Sequence, residues 1–85
     1  MEREIIKGKL RDVFISVLEH ENFQMTDELK AGDVEGWNSL AQAMIVTAIE
    51  SEFGIKLKLR DLNNWKDLGC LITILEAKLK DETHI

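Results

Sequence analysis

The 85-residue chain has no proline, no tyrosine, one cysteine (Cys70), two histidines (His20 and His84) and five glycines. With neither proline nor much glycine to interrupt it, the chain leans towards helix throughout. A single cysteine excludes an intrachain disulfide framework and any multi-cysteine zinc site, and suits a reducing, cytoplasmic setting. The histidines offer little to a catalytic constellation, since His84 is the penultimate residue, where order is least expected. No apolar run reaches the ~18 residues of a membrane span. The opening stretch MEREIIKGKLRD alternates charge where a secretory signal would be apolar. Cations are scarce as well: eleven Lys and Arg stand against sixteen Asp and Glu, a formal charge of −5. That balance argues against a nucleic-acid backbone or an anionic membrane surface as partner.

The apolar content, 45% of residues, is enough for a core. The length fits one small domain, residues 1–85, with no repeat and no linker. So short a chain rarely encloses a substrate pocket of about 300 Å³. It is therefore expected to be a monomeric binding or carrier module rather than an enzyme. Hydrophobic periodicity predicts three long helices. The first covers residues 4–20, with Ile6, Leu10, Val13, Phe14, Val17 and Leu18 on one face. The second runs from Ser39 to Phe53, capped by Asn38 and closed by Gly54, with Ile45, Ala48, Ile49 and Phe53 towards the core. Leu40, Ala43, Met44 and Val46 add more apolar surface than one small core needs. The last spans residues 65–80, with Leu68, Leu71, Ile72, Leu75 and Leu79 inward. Asn64 and Asp67 form an expected capping box there, and Gly69 lies inside the helix without evident reason. A short helical turn over residues 59–62 follows an extended connector, and residues 81–85 are expected to fray. Residues 21–38 show no sustained period. Thr26 caps a possible short turn, and Phe23, Met25, Leu29, Val34 and Trp37 should pin this long loop to the core. The whole reads as an all-α, small antiparallel four-helix bundle.

Residues 31–55 contain Asp33, Glu35, Glu50 and Glu52 and no Lys or Arg. Two readings stand: a solvated acidic face, or a docking surface for basic partners. Ser39 opens the second helix, where unpaired N–H groups and the helix dipole favour a phosphate ester on its hydroxyl. A catalytic serine needs a neighbouring base, and neither histidine is near it in sequence. No metal-ligand constellation is present, and Leu29 and Ala31 spoil the stretch from Asp27 as a calcium loop. Trp65 and Cys70 read as core residues. Trp37 either anchors the loop or shapes the surroundings of Ser39.

Gly36-Trp37-Asn38-Ser39-Leu40, with Ile45, Ala48-Ile49-Glu50 and Glu52-Phe53-Gly54-Ile55 after it, resembles the acyl carrier proteins. The resemblance spans about residues 5–79 in helix order and spacing. It implies that Ser39 receives 4′-phosphopantetheine from coenzyme A through a separate phosphopantetheinyl transferase. The arm's thiol would then hold an acyl group as a thioester. Trp37, Asn38 and Leu40 would border the arm. Leu40, Met44, Thr47, Glu50 and Glu52 would meet partners: the transferase, an acyl-loading ligase or synthase, and downstream acyl-transfer enzymes of fatty-acid, polyketide or other specialised pathways. Two departures are visible. Asn38 replaces the family's usual Asp before the serine, and Ala41, Met44 and Ser51 stand where acids are frequent. The second helix is thus less acidic than usual, which points to a specialised pathway. The alternative is a helical interaction module on a degenerate carrier fold, without a prosthetic group.

Overall fold

The computed structural model describes residues 2–82. It folds as four helices, α1 (Arg3–Leu18), α2 (Ser39–Phe53), α3 (Leu59–Asn64) and α4 (Leu68–Glu82). A single 3-10 turn, Ala31–Asp33, interrupts the long loop between α1 and α2. Helix α1 packs on α2 and α4, and α3 packs on α4. This is the all-α bundle that the periodicity predicts. At its centre Ile6, Leu10, Phe14, Ile45, Ile49, Leu68, Leu71, Ile72 and Leu75 are almost wholly removed from solvent. Burying a side chain of that size is worth about 2 kcal/mol relative to leaving it in water.

Helix α2 has the predicted ends. Asn38 accepts the Ala41 N–H at 2.9 Å, and Gly54 takes a left-handed φ of +65° while its N–H bonds to the Glu50 carbonyl. Helix α1 stops two residues earlier than its periodicity suggests. Glu19 adopts a left-handed conformation with φ +60°, and its N–H closes the helix onto Ile15. His20 then leaves the helix to serve the loop. Its Nδ1 accepts the Asn22 N–H at 3.0 Å, and its Nε2 lies 2.6 Å from the Glu35 carbonyl. Both contacts are satisfied together only when Nε2 carries the proton and donates.

Three local expectations need correction. The turn after Thr26 is closed by the threonine's carbonyl, which accepts the Leu29 N–H at 3.1 Å, and not by a side-chain cap. Helix α3 continues two residues past the predicted turn, to Asn64. Helix α4 begins at Leu68 rather than at 65, so Asn64 is no cap. Asp67 acts alone, its Oδ1 accepting the Cys70 N–H at 2.9 Å. At the other end the backbone is helical through Glu82. Thr83, His84 and Ile85 lie outside the described residues, so the expected fraying applies to no described part of the tail.

The start of α4 also explains Gly69. The N–H groups of Leu68 and Gly69 donate to the carbonyls of Leu29 and Asp27, each at 2.9 Å. The long loop thus crosses directly over the first turn of α4. A Cβ on Gly69 would lie 3.1 Å from the Asp27 Cβ and 3.3 Å from its carbonyl oxygen. Buried Leu29 and Val34, with Phe23, Met25 and Trp37 half-buried, complete the attachment along the loop. All five are the residues that the sequence marks as pins.

Two carboxylates are tuned by this framework. The ammonium of Lys78, 2.8 Å away, and then the Lys58 N–H hold Asp61 below its ordinary value of 3.8. The Cys70 N–H does the same for Asp67. Lowered folded values mean that the stability contributed by these groups is complete above about pH 5 and drains away at lower pH. The stability that these two groups contribute should therefore be lost as pH drops through 3.8 and below, and the urea midpoint should fall with it. The double variant D61N/D67N should show a shallower fall. A second expectation concerns the glycines. Gly8, inside α1 with nothing near its missing Cβ, should give about 1 kcal/mol of added stability as Gly8→Ala. Gly69→Ala should lose about 1 kcal/mol instead, because the loop above it is held by hydrogen bonds and cannot retreat. Urea titration of both variants checks the opposite signs.

Candidate functional site

Ser39 is the first residue of α2 and is exposed. Its hydroxyl forms no hydrogen bond with another described residue. The first N–H groups of a helix have no acceptor within it. Asn38 satisfies that of Ala41, leaving those of Ser39 and Leu40 available to solvent or to an anion. The approach to the helix is set by a tight turn. The Trp37 N–H bonds to the Val34 carbonyl at 3.3 Å, with Gly36 at φ +84° as the third residue of that turn. A side chain at Gly36 would be strained there, since a type II turn demands a positive φ at this position.

The turn sends Trp37 inwards. Its ring stands edge-on to Phe14, centroids 4.9 Å apart, and to Trp65 at 5.9 Å. Its indole N–H donates to Gln42 Oε1 at 2.7 Å. Trp37 is therefore a loop anchor that also clamps the first turn of α2. It is a neighbour of the serine as well: Ala31, Trp37, Asn38, Ser39 and Gln42 line one surface hollow. Behind it, Trp37, Gln42 and Ala31 share a cavity of about 200 Å³ with Phe14, Trp65 and Lys66. Trp65, expected at the start of the last helix, caps the end of α3 and packs half-buried against the core.

The rest of α2 divides cleanly. Ala41, Ile45, Ile49 and Phe53 are buried. Leu40 is 70% exposed and Met44 49%, with Ala43, Thr47 and Ser51 exposed beside them. Val17 and Ala48 join Ala43, Met44, Thr47 and Ser51 around an apolar groove between α1 and α2. The Thr47 hydroxyl donates back to the Ala43 carbonyl at 3.1 Å. The two acids of α2 are both engaged within the molecule. Glu50 Oε2 accepts the Leu57 N–H at 2.8 Å, fastening the connector to the helix. Glu52 pairs with Lys9 of α1 at 3.3 Å.

Ser39, Asn38, Trp37 and Leu40 are thus brought together at one end of α2, and Leu40, Met44 and Thr47 follow along its exposed side. Glu50 turns towards the connector and Glu52 towards α1. Gln42, Phe14 and Trp65 belong to the site and escape a reading of the sequence. A lone glutamine in a first turn looks like any solvated polar residue, and nothing in its spacing announces an indole partner. Among the described residues, no group of three or more His, Cys, Asp and Glu is arranged to hold a metal. No helix among them is long and apolar enough to cross a membrane.

Comparison with known proteins adds the following. No family model matches the chain. It is 34% identical over 77 residues to an acyl carrier protein of Thermotoga maritima, covering 91% of this chain and 95% of that one. Its backbone matches the solution NMR structure of a holo acyl carrier protein from Geobacter metallireducens with a TM-score of 0.83. That match has 26% identity and covers 93% of this chain and 92% of the other.

The cap at Asn38 supplies a direct test of the local geometry. Asn38→Ala should cost about 1 kcal/mol in urea unfolding, while Asn38→Asp, which can accept the same N–H, should stay near wild type.

Proposed function

This chain belongs to the acyl carrier protein family, and on that premise we propose that Ser39 bears 4′-phosphopantetheine and that the protein shuttles acyl intermediates. The observation that carries the reading is the exposed, unbonded Ser39 hydroxyl at the N-terminus of a fifteen-residue helix. The residues fit the group. A phosphodiester there would carry one negative charge beside the free N–H groups of Ser39 and Leu40, a favourable placement by about 0.3–1 kcal/mol. Asn38 is neutral and would not repel it.

In the attachment step, Ser39 Oγ forms a bond to the phosphorus of coenzyme A that bears the pantetheine. Adenosine 3′,5′-bisphosphate leaves, and the hydroxyl proton passes to a base of the transferase. When attached, the arm supplies a thiol that holds an acyl group as a thioester. The chain's own residues do the positioning. Asn38 fixes the start of α2, Trp37 and Gln42 tie that start to the core, and exposed Leu40 and Met44 offer partners an apolar foothold next to Ser39. Thr47 extends this strip, with Glu50 and Glu52 at its far end. Bond making and breaking on the cargo belongs to the partner enzymes: the transferase, a loading ligase or synthase, and acyl-transfer enzymes downstream. The small number of acids on α2 supports a specialised pathway. Ala41 fits this pattern physically, for it is 8% exposed, where a carboxylate would meet the core.

Incubation with coenzyme A and a broad-specificity phosphopantetheinyl transferase should add one phosphopantetheine to the intact mass of the wild type and none to Ser39→Ala. A folded wild-type protein that gained nothing, beside a positive control carrier, would transfer the weight to an interaction module without a prosthetic group.

A further inference from the structure

We propose that the cavity behind Trp37 seats the first segment of the prosthetic arm, the pantoyl unit next to the phosphate. Trp37 and Trp65 would take its methyl groups, and Gln42 would donate to its carbonyl. The inference rests on the carrier reading above and adds where this chain holds the arm. It starts from two adjoining spaces. Ala31, Trp37 and Gln42 line both the surface hollow at Ser39 and the cavity of about 200 Å³ behind it. A group bonded to Ser39 therefore enters the hollow beside the walls of the cavity. Those walls are mostly apolar, with Phe14, Leu29, Trp65 and Leu68 completing them. Gln42 is the exception, and the fold uses only half of its amide. An indole N–H can only donate, so the 2.7 Å bond turns the Gln42 oxygen to Trp37 and leaves the –NH2 as the free end. That –NH2 bonds to no other described residue, in a side chain that is half-buried.

Size, chemistry and the tether choose the occupant. At the ~30 Å³ that a water-sized group takes in a liquid, a cavity of about 200 Å³ admits about seven non-hydrogen groups. That is the scale of the pantoyl unit, and it leaves no room for a long acyl chain as well. The unit carries geminal methyls, which suit indole faces, and a carbonyl and a hydroxyl, which suit an unpaired amide donor. It also lies only a few bonds from the Ser39 oxygen. A short link keeps such a group at an effective concentration in the mM range, so a weak seat is enough to hold it. The thiol is many bonds further on and stays outside, within reach of partner enzymes. Lys66 lines the cavity too, is exposed, and forms no ion pair among the described residues. It adds a cation to a site that receives an anionic arm.

The test compares 13C,15N-labelled protein before and after transfer of an unlabelled arm from coenzyme A, with loading measured by intact mass. Isotope-filtered NOE spectra of the loaded protein should connect the arm's methyl protons to ring protons of Trp37 and Trp65. The Gln42 side-chain amide and the Trp37 indole N–H signals should shift on loading. Two variants probe the seat, each checked for unchanged helix content by circular dichroism. Ala31→Leu adds bulk to the wall that hollow and cavity share, and it should load fully yet lose those NOEs. Gln42→Glu keeps an oxygen for the indole and exchanges the donor for an acceptor. It should cut the NOE intensity about fivefold, as the loss of one hydrogen bond does to a binding constant. The proposal is overturned if the loaded wild type shows no NOE from the arm's methyls to either ring, or if both variants keep the NOEs at full strength. A butyryl group on the thiol that shows NOEs to the rings, while the arm's methyls show none, would overturn it too, by giving the cavity to the cargo. Full loading without the NOEs would sink the seat and leave the carrier reading standing. A folded wild type that gained no mass would overturn both.

Discussion

Two backbone hydrogen bonds hold the rest of this molecule in register: those from Leu68 and Gly69 at the start of α4 to the carbonyls of Leu29 and Asp27 in the long loop. A helix must find acceptors for its first N–H groups, and a buried loop must find donors for its carbonyls. Here each need answers the other. The exchange fixes the middle of a loop that would otherwise be free to wander, and it leaves little room for a Cβ at Gly69, where the two backbones meet. Once that crossing is set, Val34 and Trp37 reach the core, the turn at Gly36 is closed, and the first residue of α2 has a defined place.

The same economy of contacts organises the exposed side. Trp37 stands between Phe14 and Trp65 and grips Gln42, so the serine is backed by rigid aromatic packing while its own hydroxyl stays free. Glu50 and Glu52 serve the fold by holding the connector and α1. The exposed side of helix α2 is led by Leu40 and Met44, with Ala43, Thr47 and Ser51 beside them.

Much of this was legible in the sequence, for reasons that differ between elements. The limits of α2 follow from Asn38 and Gly54, whose chemistry is local: a side-chain acceptor at one end and tolerance of positive φ at the other. The inward residues of α1 and α4 follow from spacing alone, because a 3.6-residue period leaves few choices for a buried face. The loop pins were readable because an apolar residue in an aperiodic stretch has few other uses. What escaped the sequence was non-local. The end of α1 depends on His20 finding Glu35, the start of α4 on carbonyls some forty residues earlier, and the fates of Glu50 and Glu52 on a connector amide and a lysine of another helix. Gly69 is the clearest case, since its role exists only once Asp27 lies above it.

The tryptophan pair has a further consequence. Trp37 is two residues from Ser39, and Trp65 ends α3, so their 5.9 Å edge-on contact spans the elements on either side of the serine. Two indoles this close, in a chain with no tyrosine, dominate its near-ultraviolet absorption and emission. The molecule therefore contains an intrinsic optical gauge of its own serine end, readable without a label.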